Sequence, residues 1–266
     1  MNIDDEKTGT EISRLRAEYA RRDAVGLSKM YHYANPAFAF HMQEREWAVL
    51  QMFRDAGVDL AGARLLEVGC GTGHILGRFQ EFGAGMTVGI DLADHRLRIA
   101  RKQYPRLFFL QGNGAELPFA DGAFDVVLQF MCLSSVLDPG MRQRIADEMW
   151  RVLRPGGMVL YYDLRSTHFV ARLLFLPFSL VKKLSSAFSS PGTGTAEEKE
   201  SPPTPVQCLT SRDIRTFFPN GLICYRSVSL NYRLAGIAST SLLVAQLLSR
   251  IPVLRTHYLA LIHKPS

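Results

Sequence analysis

The 266 residues are 47% hydrophobic and 21% charged, a globular balance that excludes wholesale disorder and fibrous repeats and allows one large domain or two small ones. The formal charge of +6 is spread along the chain rather than gathered in one basic patch, so no nucleic-acid partner is expected. Cys70, Cys132, Cys208 and Cys224 stand far apart without a CxxC pair; neither a zinc site nor a disulfide framework is suggested, and they read as thiols in a reducing compartment.

The chain begins MNIDDEKTGTE, acidic and polar where a secretory signal would carry a basic end and an apolar run, so a cytoplasmic protein is expected. Ile12, Leu15, Tyr19 and Arg22 recur at helical spacing, and a second helical run extends from about residue 36 to 53. Residues 1–59 therefore read as an N-terminal helical lid, with the arginines at 14, 16, 21 and 22 on a solvated helix face. From about residue 60 the pattern changes. Arg64–Val68, Met86–Asp91, 107–111, Phe124–Phe130 and 158–163 are short, near-continuous apolar runs, alternating with helical segments at Asp94–Gln103 and 139–153. Such alternation predicts an α/β fold with a parallel sheet covered on both faces.

Asp138 and Pro139 supply an N-cap and a first-turn proline for the 139–153 helix. Residues 185–205 are rich in Ser, Pro, Gly and Thr and read as a surface insert. Thr210 and Asp213 have the spacing of a capping box opening a short helix, followed by strands near Leu222–Leu230 and 256–263. The core domain is thus read as 60–266, with inserts at about 166–209 and 233–253. Their apolar stretches, 173–181 and 234–248, fall short of the roughly 20 residues needed to cross a bilayer. They read as a cover over an acceptor site, with a weak peripheral contact to an anionic membrane face as one variant and ordinary packed helices as the alternative.

The chemistry concentrates at Glu67-Val-Gly-Cys-Gly-Thr-Gly73, where the first strand runs into a helix. Glycines there admit a ligand against the main chain, and the free amides of the helix start face it. A dinucleotide fingerprint would require glycine at position 74, which is His74, so a nicotinamide or flavin site is disfavoured. Asp91, closing the second strand, is placed to accept both hydroxyls of a ribose. A glycine loop plus that acid indicates a nucleoside ligand.

ExGxGxG at 67–73, the acid after strand two, GNGAELPF at 112–119, FDVV at 124–127 and RVLRPGG at 151–157 together resemble class I S-adenosylmethionine (SAM) methyltransferases over about residues 60–165. LPFxDxxFD at 117–125 is most similar to the group that includes quinone-biosynthesis and other small-molecule methylases. The flanks at 31–46 and 254–265 resemble bacterial enzymes associated with glycan or cell-surface biosynthesis. The resemblance implies a Rossmann-like sheet of seven strands, the last antiparallel, and SAM as cofactor. It also implies that Gly69, Gly71 and Gly73 cradle the methionine portion with Glu67 beneath, that Asp91 holds the ribose and Leu92 packs on adenine, and that Gln129 lines the methionine end. Asn113, followed by Gly114, stands where the family usually has an Asp facing the adenine amino group; an amide can accept that bond without charge assistance.

His41 and Glu44 on the second helix, and Asp163 at the end of strand five, are the candidate catalytic groups. Ion pairing on a helix surface or a simple turn would explain them equally well. Arg165 also follows strand five, and His257 reads as a packed residue. No metal ligand set is present in the pattern. The expected activity is methyl transfer to a small, glycan or lipid-linked acceptor, O-methylation of a sugar or lipid-linked glycan first and C-methylation of a quinone-like ring second. A non-catalytic SAM-binding module is the alternative of a different class.

Overall fold

The computed structural model describes residues 3–24, 33–166 and 205–266; the apolar stretch 173–181 and the polar insert up to residue 204 lie outside them. Among the described residues, seven strands form one sheet in the order β3-β2-β1-β4-β5-β7-β6. They are β1 (Arg64–Val68), β2 (Met86–Asp91), β3 (Phe108–Gln111), β4 (Phe124–Phe130), β5 (Leu153–Leu164), β6 (Leu222–Leu230) and β7 (Arg255–His263). β1 is buried at every position but the first, and β2 at every position but the first and last, which is why their sequences are continuous apolar runs rather than alternating ones. The last strand, β7, runs antiparallel to both neighbours, so the Rossmann-like sheet expected from the sequence is the one found.

β5 starts five residues earlier than its apolar run. Leu153 already pairs with Phe124 before the register shifts to Val126 and Met158, and Gly156 at φ 71° carries the irregularity. One face of the sheet is covered by α2 (Pro36–Asp55), α3 (His74–Glu81) and α4 (Asp94–Gln103), through Val49, Met52 and Phe53, Leu76 and Phe79, and Leu97 and Ala100. The other face is covered by α5 (Pro139–Val152) and α6 (Ser211–Phe217), through Ile145, Met149, Ile214 and Phe217. The caps read from the sequence are made: Asp138 accepts from Met141 N at 2.6 Å, and Thr210 and Asp213 close a reciprocal capping box.

α1 (Ile3–Ala24) lies across the carboxyl edge of the strands, tied there by side chains described below, with Leu15 in the core. Between β6 and β7, α7 (Tyr232–Ala235) and α8 (Leu242–Ser249) pack on α2 through Ala37, Phe40, Leu230, Ala235 and Ala245. Of α8 only Ala245 is buried; Leu242, Leu243, Val244 and Leu247 face outward. Among the described residues no helix is long and apolar enough to cross a membrane.

Candidate functional site

The winding of the sheet reverses between β1 and β4, and the crevice beyond the carboxyl ends of strands at such a switch is where open α/β sheets bind ligands. There Gly69 N and Cys70 N both donate to Ile90 O, at 2.8 and 3.1 Å, and Gly73 N donates to Cys70 O, folding the loop back over β2. Gly69 and Gly73 both sit at φ 76°. A Cβ would meet Cys132 Sγ at 2.9 Å at the first and Phe109 Cζ at 2.7 Å at the second, so neither the conformation nor the space admits a side chain. Asp91 ties this loop to β2, one oxygen accepting from Gly71 N and the other from Ala93 N, each at 2.8 Å. Each carboxylate oxygen retains a second lone pair, and burial pushes the Asp91 carboxyl above its ordinary pKa.

These groups open into a cavity of about 800 Å³. Glu67, the glycine loop, Asp91, Leu92, Gly112 and Gly114 form its floor and one wall, while Phe130, Met131, Cys132 and Val136 form the other. The stripe Leu15, Tyr19, Arg22 of α1, with Asp23, closes it from above. The helix is latched at its middle and at its C-terminal end. Glu11 accepts from Leu137 N at 2.6 Å and Arg14 donates to Ser135 O at 2.6 Å; Asp23 takes a two-point contact from Arg96 at 2.6 and 2.9 Å and a bond with His95. The Arg96 guanidinium lies 4.4 Å from the Tyr19 ring centroid. The arginine face read as solvated is therefore only partly so, since Arg14 bonds Ser135 O and Arg22 lines the cavity. The periodicity of α1 was visible in the sequence; the acid and arginine that anchor it, 73 positions apart, carried no local signal.

Glu67 is 1% exposed, and its Oε2 has no hydrogen-bond partner among the described residues. Burial pushes its carboxyl well above the ordinary range, opposed by the nearby Arg45 charge and reinforced by Asp91. An orphaned acceptor facing a ligand cavity suits a cationic donor on the ligand, which would restore its charge. Burial also pushes the Cys70 and Cys132 thiols up, so they line the cavity as neutral groups.

Three residues read from the sequence are placed elsewhere. Asn113 is not part of the cavity wall; its Oδ1 accepts from Ala115 N at 3.0 Å in a local turn. Gln129 is fully buried, one position out of phase with Phe130 on β4, and its Oε1 accepts from Cys132 N; it shapes the turn that holds Met131 at φ 60°. Asp163 lies near the end of β5, as read, but is 0% exposed. Its oxygens accept from Ser134 N and Leu164 N, and burial raises its pKa to about 6, so it braces the same turn and does not reach the cavity.

On the α2 face a polar layer continues from Glu67 across Phe130 and Tyr162 to His257. His41 Nε2 and Ser229 Oγ share the Tyr162 hydroxyl, both at 2.9 Å, and the His257 ring stacks on Tyr162 at 4.7 Å. Burial, with Arg45 adding to it, lowers the His41 pKa to about 4, so the ring is neutral at pH 7. Glu44 accepts from Leu230 N at 3.0 Å and ties α2 to β6. His41 and Glu44 are thus brought to the layer beside the cavity, not to its wall.

Residues 66–161 match the family described as the methyltransferase domain. The glycine cradle, the buried Asp91 carboxylate and the orphaned Glu67 oxygen fit S-adenosylmethionine, the cofactor the sequence resemblance implies. The chain is 40% identical over 174 residues to a fatty-acid O-methyltransferase of Mycolicibacterium smegmatis, covering 60% of this chain and 61% of that one. It is 32% identical over 156 residues to a demethylmenaquinone methyltransferase of Lactococcus lactis, covering 56% and 60%. The chain spans about three fifths of the length of these curated relatives and about two fifths of others. A solved SAM-dependent methyltransferase from Methanosarcina mazei shares the fold, with a TM-score of 0.56 at 20% identity over 82% of this chain and 97% of that one.

Proposed function

We propose that the chain transfers the methyl group of SAM to an apolar, lipid-like or lipid-linked acceptor, with α1 as the lid of the cofactor site. The carrying observation is the convergence of the glycine loop, Asp91 and the unpartnered Glu67 oxygen on one cavity under α1. SAM supplies an activated methyl on a sulfonium, so the residues' work is to hold donor and acceptor in line and to keep water out. Asp91 orients the nucleoside end, the glycine loop admits the methionine end against its backbone, Glu67 receives the ammonium, and α1 shields the whole.

The acceptor reading rests on the β6–β7 insert. Leu242, Leu243, Val244, Leu247, Ile251 and Val253 are exposed there, and residues 214–266 contain no Asp or Glu. An exposed apolar patch in an acid-free segment suits a lipid tail or an anionic lipid surface. The two relatives, named for a fatty acid and for demethylmenaquinone, support an apolar acceptor over a free sugar. O-methylation is the first choice, because His41, its pKa lowered to about 4, is a weak base and Asp163 is sequestered from the cavity, and an acceptor already ionised at oxygen has no proton to lose. The test is incubation with methyl-deuterated SAM and bacterial lipid extract, followed by mass spectrometry. Label in a lipid is expected; label confined to water-soluble glycans, or none with SAM demonstrably bound, contradicts the acceptor class.

A further inference from the structure

We propose that α8 and the turn after it form the surface on which this protein docks to an anionic lipid bilayer. The docking rests on the lipid-acceptor reading for its purpose, not for its geometry. β7 runs antiparallel to both β5 and β6, with Leu164 opposite His257 and Leu230 opposite Arg255. β6 therefore points the same way as β5, and the 231–254 connection begins and ends at the edge of the sheet where the cavity opens. It is braced there: Arg165 donates to Pro252 O at 2.8 Å, Asn231 N to Leu254 O at 2.8 Å, and Arg255 to Ser249 O and Ser227 O.

A helix on a water-facing surface turns its large apolar side chains to the core, and α8 does the reverse. Ala245 and part of Leu248 face the protein. Leu242, Leu243, Val244 and Leu247 face outward with Gln246, Leu243 being 66% exposed, and Ile251 and Val253 continue the patch past the helix. Trp47, 63% exposed, stands on the stripe of α2 that holds Phe40, Glu44 and Gln51. That stripe meets the insert and β6: Phe40 shares a core cluster with Ala245, Glu44 accepts from Leu230 N, and Gln51 accepts from Arg226. An indole with an apolar body and a polar tip suits the headgroup level of a bilayer.

Charge selects the occupant. Residues 214–266 carry five arginines, one lysine and no acid. Arg250 caps α8, is exposed, and has no ion pair among the described residues. The acids of α2 on this side are engaged, Glu44 with Leu230 N and Asp55 with Arg226. A second copy of the chain would set the same basic, acid-free patch against itself, whereas an anionic lipid surface attracts the arginines and its acyl boundary takes up the leucines. A bilayer seated on α8 lies at the same edge of the sheet as the cavity, where an apolar acceptor must enter.

Cosedimentation of the full chain with vesicles, run without SAM, tests the docking apart from the chemistry. The vesicles are phosphatidylcholine alone and an equal mixture with phosphatidylglycerol. Wild type is expected to bind the mixed vesicles at least about tenfold more tightly than the neutral ones. Leu243→Ser with Leu247→Ser is expected to weaken that binding by at least about tenfold and Arg250→Gln by about fivefold, with melting temperature and S-adenosylhomocysteine affinity unchanged. Wild type that binds neither vesicle, or a double-serine variant that binds as wild type does, overturns the proposal. So does a concentration-dependent dimer in sedimentation velocity that the double-serine variant abolishes, since the patch then takes a second copy. Should that variant fail to fold, Arg250→Gln decides: weakened binding to the mixed vesicles supports the docking, and wild-type binding overturns it. Docking lost in the variants, with no methyl label reaching any lipid, supports the surface and contradicts the acceptor reading instead.

Discussion

The two halves of the strands' carboxyl edge are assembled differently. On the β2–β1 side each ligand-facing group belongs to a strand, the loop after it and the helix that follows, and the bond that locks the site, Gly71 N to Asp91, spans 20 positions. On the β5–β7 side the polar layer draws on α2, β5, β6 and β7: His41 meets Tyr162 across 121 positions, and Tyr162 meets Ser229 across 67. A cofactor common to many reactions is held by local units that a motif can record. The polar layer on the β5–β7 side is built by long-range contacts that no motif records.

If that division is right, Asp91→Ala has the largest effect on binding and confines it to the cofactor half. Two ribose bonds to a carboxylate, each about 1.5 to 3 kcal/mol, are removed, so S-adenosylhomocysteine affinity falls by at least about tenfold by calorimetry. On the other side of β4, Asp163→Asn tests electrostatics without touching the cofactor. The Asp163 pKa rises from 3.8 to about 6 on folding, so the folded state holds its proton where the unfolded state has lost it. Stability from this group is complete below about pH 4 and lost as pH rises toward 6, a fall of about 2 to 3 kcal/mol. The substitution flattens that part of the stability profile relative to wild type, measured by urea unfolding.

Tyr162→Phe keeps the ring beside Arg45 and removes the hydroxyl shared by His41 and Ser229. It is expected to cost about 1 to 2 kcal/mol of stability while leaving S-adenosylhomocysteine affinity unchanged; a binding loss equal to that of Asp91→Ala would erase the distinction between the halves. Thr210→Ala, at the α6 cap far along the chain from either layer, sets the lower end. Losing the capping box costs about 1 kcal/mol, read as a lowered melting temperature with binding intact.

The sequence carries the strands, the glycine loop and Asp91 of the β2–β1 side, but not the turns that take up Asn113 and Gln129. β2 was bounded correctly because its apolar run ends in Asp91, and α4 because Asp94 opens it and the apolar positions stop at Ala100. Strand parity was a usable signal that went unread: Gln129 and Asp163 each sit one position from residues of the α2 face, Phe130 and Tyr162, and so belong to the opposite face. Parity could not reveal Arg45, which reads as one charge among several on α2 until Phe130 and Tyr162 on β4 and β5 supply the rings it lies against. Nor could it reveal that the Leu15–Tyr19–Arg22 stripe closes a cavity as well as packing on the core, since Asp23 meets Arg96 only in the folded chain.

The central claim is that the cavity beneath α1 holds the adenosyl–methionine skeleton through Asp91 and the glycine loop. Its most direct measurement is calorimetric titration of wild type and Asp91→Ala with S-adenosylhomocysteine, with NADH as the control ligand. One-to-one binding by wild type, at least about tenfold weaker in the variant and absent with NADH, is the predicted result. Equal affinity in both proteins, or NADH binding in place of S-adenosylhomocysteine, would contradict it.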